Sequence, residues 1–147
     1  MNILIVDDET EYRMLIGKYL EGEGHTVFLA DNGDDGLKKI NDAAMDIIIT
    51  DVYMPVMDGH KFHKIVRANP KFAHIPFLFV SGYDDEYTLE IVRASNLDGF
   101  IRKGRHLSEM KAWLQYLTRP LNKRPPSPPG SAIKPPTPER TRRSTKK

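Results

Sequence analysis

The chain has 147 residues, no cysteine, and 22 basic against 20 acidic side chains, a net charge of +2. That length supports one ordinary domain with its own core and little more. Without thiols there is no disulfide framework, no cysteine nucleophile and no cysteine metal site. The balanced total hides two unlike parts. Residues 1–118 hold 13 basic and 19 acidic side chains, net −6, whereas residues 119–147 hold nine basic and one acidic, net +8. The second part also carries eight of the 11 prolines and no aromatic residue. No apolar run approaches the roughly 18 residues of a membrane span. The N-terminus, MNILIVDDE, lacks the basic start of a signal peptide and soon meets carboxylates. A soluble, cytoplasmic protein is expected, and no internal repeat is visible.

In chain order, Ile3–Val6 reads as a first strand, being short, apolar and rich in β-branched residues. Tyr12, Leu15, Ile16 and Tyr19 then follow the spacing of a helix face packed on a core. Thr26–Ala30 is a second strand whose loose alternation suits an edge. Leu37, Ile40 and Ala44 mark a second helix, and Ile47–Thr50 a third strand. Phe62, Ile65 and Val66 give a third helix, Phe77–Val80 a fourth strand, and Leu89 with Val92 a fourth helix. Phe100–Ile101 is a short fifth strand, and Met110, Trp113, Leu114 and Leu117 mark a fifth helix. Strands and helices alternate, and the first, third and fourth strands are apolar throughout, as strands buried on both faces are. The expected fold is therefore a three-layer α/β sandwich around a parallel sheet. From Arg119 onward the pattern stops, and a domain of residues 1–120 is expected to precede a disordered, proline-rich basic tail, 121–147.

Ligands of an open parallel sheet bind outside the carboxyl ends of its strands. The first strand ends in Asp7 and Asp8, the third in Asp51, the fourth in Ser81 and the fifth in Arg102 and Lys103. Each has an ordinary explanation alone. Asp7 and Asp8 could cap a helix, Asp51 and Ser81 could belong to turns, and Lys103 could be a solvated surface lysine. Together they are harder to explain, because three crowded carboxylates raise one another's pKa and repel. A hard divalent cation, Mg²⁺ above all, is the natural compensator. Ser81 and Lys103 would then lie on the far side of Asp51, placed to contact an anion carried by that carboxylate. Metal on one side and ammonium on the other is how transferring phosphoryl groups are held. Asp51 between them is a candidate nucleophile for an acyl phosphate.

Four motifs, VDDE at 6–9, DVYMPVMDG at 51–59, VSG at 80–82 and FIRK at 100–103, resemble the receiver domain of two-component response regulators. The resemblance covers residues 1–118 and implies a flavodoxin-like sheet of order 2-1-3-4-5 with five helices. It implies that Asp51 is the phosphoacceptor, charged from the phosphohistidine of a histidine kinase or phosphotransfer protein. By the same resemblance Asp8, Asp51 and the carbonyl of Tyr53 bind Mg²⁺ directly and Asp7 through water. Ser81 and Lys103 would hold the phosphoryl oxygens, and Phe100 would be the switch aromatic. Such a protein is not a conventional enzyme, although it catalyses its own phosphorylation and dephosphorylation. It would signal through the face around the fifth strand and its flanking helices, with Arg93, Asp98, Arg102 and Lys111, toward a downstream protein or a second copy.

Two departures stand out. Gly104 follows Lys103 where the family usually has proline, so either the loop differs or glycine's freedom delivers the amine another way. Tyr53 and Tyr83 place bulky rings at the positions that tune dephosphorylation, which implies a long-lived phosphoryl group. Pro55 and Gly59 are expected to set the turn after Asp51, one fixing a dihedral and the other relaxing one. No glycine pattern of a nucleotide-binding loop follows the first strand. The second acid of dehalogenase-type phosphatases is replaced by Tyr53. His60 and His63, one helical turn apart, read as exposed polar positions rather than ligands. The tail is read as a disordered extension, as a basic contact for nucleic acid or an anionic surface, or as a polyproline ligand. It could also fold back and screen the acidic pocket. A phosphorylation-independent binding module of the same fold, and a tail-mediated nucleic-acid binder with a regulatory domain, remain as alternatives.

Overall fold

A computed structural model describes residues 1–129. Five strands, β1 (Asn2–Val6), β2 (Thr26–Ala30), β3 (Ile47–Asp51), β4 (Phe77–Ser81) and β5 (Asp98–Arg102), alternate with five helices. The helices are α1 (Thr10–Gly22), α2 (Gly33–Asp42), α3 (Gly59–Ala68), α4 (Glu86–Arg93) and α5 (Leu107–Thr118). The strands form one parallel sheet in the order β2-β1-β3-β4-β5, as the resemblance implied. A right-handed crossover puts α1 on one face and, because the chain then reverses direction along the sheet, α2 to α4 on the other. α5 returns beside α1, where Lys111 pairs with Glu23 at 2.7 Å. The central strands β1, β3 and β4 are buried along almost their whole length, which is why their sequences are apolar on both faces. No helix among the described residues is long and apolar enough to cross a membrane.

Several local expectations need correction. Leu15 is 54% exposed, and α1 instead buries Ile16, Gly17 and Leu20. β2 is an edge strand, but Val27, Phe28 and Leu29 are all half-buried rather than alternating. The reason is that α1 and α2 each cover one of its faces in part. β5 pairs with β4 over five residues, more than the two expected, and includes Gly99, a poor strand former that close packing requires there. A Cβ at this position would stand 2.5 Å from the Trp113 ring.

The histidine pair is not exposed. His63 is buried against Phe77 and Phe79, and its Nε2 lies 3.1 Å from an Asp98 carboxylate oxygen. Arg67 donates to the same oxygen at 2.7 Å and to the Ile75 carbonyl at 2.6 Å. Asp98 is therefore buried toward α3 and does not belong to the outer face on which the sequence placed it. His60 is half-buried, 2.6 Å from the Thr88 hydroxyl, which in turn donates to Asp85 at 2.6 Å. Residues Leu121–Lys123 form a short 3-10 turn, η1, where a disordered tail was expected to begin. Residues 130–147, which carry most of that tail, lie outside the described residues.

Candidate functional site

Parallel pairing in register brings the strand ends to one edge. Val6 lies opposite Thr50, Asp51 opposite Val80, and Ser81 opposite Arg102. The residues that follow or close those strands therefore share one shallow site. It stands where the chain order reverses between β1 and β3, the usual ligand crevice of such sheets. Carboxylate oxygens of Asp7, Asp8 and Asp51 lie within 4.8 Å of one another. Asp7 and Asp51 are buried, whereas Asp8 is exposed.

Asp51 is oriented by its own backbone. Its Oδ1 accepts the Val52 N–H at 2.8 Å, which leaves Oδ2 to face the Lys103 ammonium at 3.2 Å. The turn behind it depends on Gly59, whose N–H bonds the Val52 carbonyl at 2.7 Å. A Cβ on Gly59 would clash with the Asp51 carbonyl oxygen. Close approach is thus the role of Gly59. The left-handed dihedral falls on Val56, with φ 71° and 80% exposure, where Met57 N–H bonds the Pro55 carbonyl at 2.8 Å. A β-branched residue there is strained, and this γ-turn holds the strain beside the site. Gly59→Ala is expected to cost about 2–4 kcal/mol, because backbone must shift. A urea midpoint unchanged from the parent would contradict that placement.

Lys103 reaches the site through a left-handed Gly104, φ 87°, with every described peptide bond trans. It does not sit on the far side of Asp51. Its Nζ lies 3.0 Å from Asp7, 3.0 Å from Glu9 and 3.2 Å from Asp51, and 4.8 Å from the Tyr12 ring centre. The amine takes up the compensating role among the carboxylates. Glu9 and Tyr12 were missed as site residues. Glu9 lies inside the VDDE motif, the only signal for it, and Tyr12 satisfies the helix periodicity of a core face, which hides its place at the site. Arg13 also joins the site, donating to the Asp7 carbonyl.

Electrostatics follow from this crowding. Burial, then the charge of Asp7, pushes Asp51 up to about 6 against the opposing pull of Lys103. Burial likewise raises Asp7. Burial by itself would lower the Lys103 amine, but its bonds to Glu9 and Asp7 overcome that and push it up. Ser81 is fully buried at the end of β4. Its Oγ accepts the Tyr83 N–H at 3.4 Å, while its carbonyl accepts the Lys103 N–H at 2.8 Å. Phe100 is fully buried in β5, opposite Phe79. Tyr53 and Tyr83 are exposed, and their tilted rings stand 5.6 Å apart. Arg102 turns away, toward the Gly82 carbonyl and Asp84.

Known proteins share this fold. Residues 3–115 match the family model of the response regulator receiver domain, and the chain belongs to that family. Among solved structures it is similar to the chemotaxis response regulator CheY4 of Vibrio cholerae. That likeness has 29% identity and a TM-score of 0.71, covering 79% of this chain and 97% of that one. Among curated proteins it is 33% identical to the transcriptional regulatory protein ZraR of Salmonella typhimurium, over 69% of this chain and 23% of the relative. It is 28% identical to the CAI-1 autoinducer sensor kinase/phosphatase CqsS of Vibrio cholerae, over 76% of this chain and 17% of the relative. The chain thus spans less than a quarter of either curated relative.

Proposed function

We propose that this receiver domain is a Mg²⁺-dependent phosphoacceptor switch with Asp51 as its site. The supporting observation is the Oδ2 of Asp51, which pairs with the Lys103 amine at 3.2 Å beside the buried Asp7 carboxylate while Oδ1 is held by the Val52 N–H. Oδ2 attacks the phosphorus of a phosphohistidine on a kinase or phosphotransfer protein. The new P–O bond forms as the P–N bond breaks, and the electron pair returns to the imidazole nitrogen, which takes a proton from solvent. Lys103 moves from pairing carboxylates to pairing the phosphoryl oxygens, and Ser81 Oγ donates to them.

The donor set fits Mg²⁺: three clustered carboxylates, two of them buried with raised pKa, favour a hard cation. Asp8, Asp51 and the Tyr53 carbonyl would hold it, with Asp7 acting through water, and when bound it would supply positive charge for the phosphoryl oxygens. The alternative of a phosphorylation-independent module drew on Gly104, yet Lys103 reaches Asp51 through that glycine. The test is intact mass after incubation with acetyl phosphate, with and without Mg²⁺. One Mg²⁺-dependent adduct is expected, and none would return the reading to a constitutive module.

The same reading places the protein in the cytoplasm and sends its signal through the face around β5, where Arg93, Arg102 and Lys111 are accessible. A downstream protein or a second copy is the recipient, and nucleic acid enters only through the basic tail. The rings of Tyr53 and Tyr83 restrict water at the acyl phosphate. Tyr53→Ala and Tyr83→Ala should each lower the hydrolytic barrier by about 1 kcal/mol, shortening the phosphoryl lifetime about fivefold. Unchanged lifetimes in both would remove the shielding role.

A further inference from the structure

Beyond α5 the chain turns back onto the domain, and one side chain holds it there. Arg124 donates from Nε to the Arg119 carbonyl at 3.2 Å and from Nη2 to the Leu117 carbonyl at 3.2 Å. Its Nη1 donates to the Asn96 carbonyl, in the turn between α4 and β5, at 2.6 Å. The guanidinium also lies 5.0 Å over the Tyr116 ring, which itself meets Trp113 edge-on at 5.7 Å. These partners are physically apt. The last carbonyls of a helix lack intrahelical donors and carry the negative end of its dipole. A planar guanidinium can serve several such oxygens while stacking on an aromatic face.

Past this anchor, Pro126 and Pro128 wall a groove of about 160 Å³ whose other side is Val92, Arg93, Asn96, Trp113 and Tyr116. Ser127 between the two prolines is exposed. Prolines beside aromatic side chains, fixed by an arginine, are an established recognition chemistry. The segment bends at Arg124, Pro126, Ser127 and Pro129, and its prolines restrict the backbone it must order on docking. Only residues 119–123 separate the anchor from α5, folded as a turn in which Lys123 N–H bonds the Pro120 carbonyl at 2.9 Å. So short a connection gives the segment a high effective concentration at its own groove.

We propose that the edge between the C-terminal end of α4 and α5 is a docking site for residues 124–129 of the same chain, anchored by Arg124, and that this segment closes the groove there as a strap. The strap lies along Val92 and the Trp113–Tyr116 edge of α5, beside Arg93, which stays exposed. A protein approaching that edge meets the strap first and must displace it. This inference is independent of whether Asp51 accepts phosphate.

The chain has no cysteine, so a nitroxide on Ser127→Cys labels the full-length protein at one place. Strong paramagnetic broadening is expected at the Trp113 indole N–H and at the amides of Val92 to Asn96. Adding Arg124→Ala to the labelled protein should remove most of it, while amide shifts elsewhere report an intact fold. No broadening, or broadening that Arg124→Ala leaves unchanged, overturns the proposal. Mixing spin-labelled protein with isotope-labelled, spin-free copies separates the occupants. Broadening carried between copies would assign the groove to a second chain and overturn occupancy in cis.

Discussion

Asp51→Asn is expected to take up no phosphoryl group from acetyl phosphate under conditions that convert the parent. The substitution keeps the shape of the side chain and the acceptor for Val52 N–H, so the turn into Gly59 survives. What it removes is the oxygen facing Lys103, and an amide nitrogen offers no lone pair for attack on phosphorus. The loss should be complete within the sensitivity of intact mass measurement. The parent should show a matching pH dependence. With its pKa raised to about 6, chiefly by burial, Asp51 holds its proton longer than an ordinary carboxyl. The attacking form is therefore lost as pH falls through about 6, and the phosphorylation rate at low Mg²⁺ should fall tenfold per pH unit below that value. A bound cation favours the carboxylate, so saturating Mg²⁺ should move the inflection to lower pH. An adduct that persists in Asp51→Asn would place the acceptor elsewhere, with Asp7 and Asp8 the next carboxylates to substitute.

Asp98→Ala is expected to be the most damaging change to stability, about 3–5 kcal/mol, because it strands one partner of a buried ion pair. The Asp98 side chain is 1% exposed and its carboxylate oxygen receives both Arg67 and His63. Without it the Arg67 guanidinium stays in place, tied to the Ala73 and Ile75 carbonyls and lying over Phe77, with its charge uncompensated. Urea unfolding followed by Trp113 fluorescence measures the loss. A cost below about 1 kcal/mol would mean that water reaches the pair and screens it. The pH profile carries its own sign. Burial alone would raise the Asp98 pKa, but His63 and Arg67 outweigh it and hold the carboxyl below the ordinary value of 3.8. The stabilisation is therefore fully present above about pH 4 and lost as pH falls through the folded-state pKa. The parent should lose stability in that acid window more steeply than Asp98→Ala.

How much of this was legible beforehand depended on whether a feature is carried by one stretch of chain or by two. Ile3–Val6, Ile47–Ile49 and Phe77–Val80 announce buried parallel strands because both faces of each must be apolar. A parallel sheet sends all its carboxyl ends to one edge, so Asp7, Asp8, Asp51 and Ser81 were assignable to one site before any coordinate was known. Other features were set only by packing. The core face of α1 includes Gly17 rather than Leu15 because the helix settles by close approach to β2, which apolar periodicity does not record. His63, Arg67 and Asp98 look like three surface residues until α3 is laid over β4 and β5. Arg124 looks like one more charge of a basic tail until η1 turns it onto Tyr116. Lys103 and Glu9 lie 94 positions apart, and nothing in either neighbourhood states that they touch. The layers, the sheet edge and the acids that crowd there are readable along the chain, because they follow from local periodicity and strand polarity. Where the Lys103 amine lands among those acids, which polar groups are buried in pairs and where the chain beyond α5 docks depend on surfaces that meet only after folding.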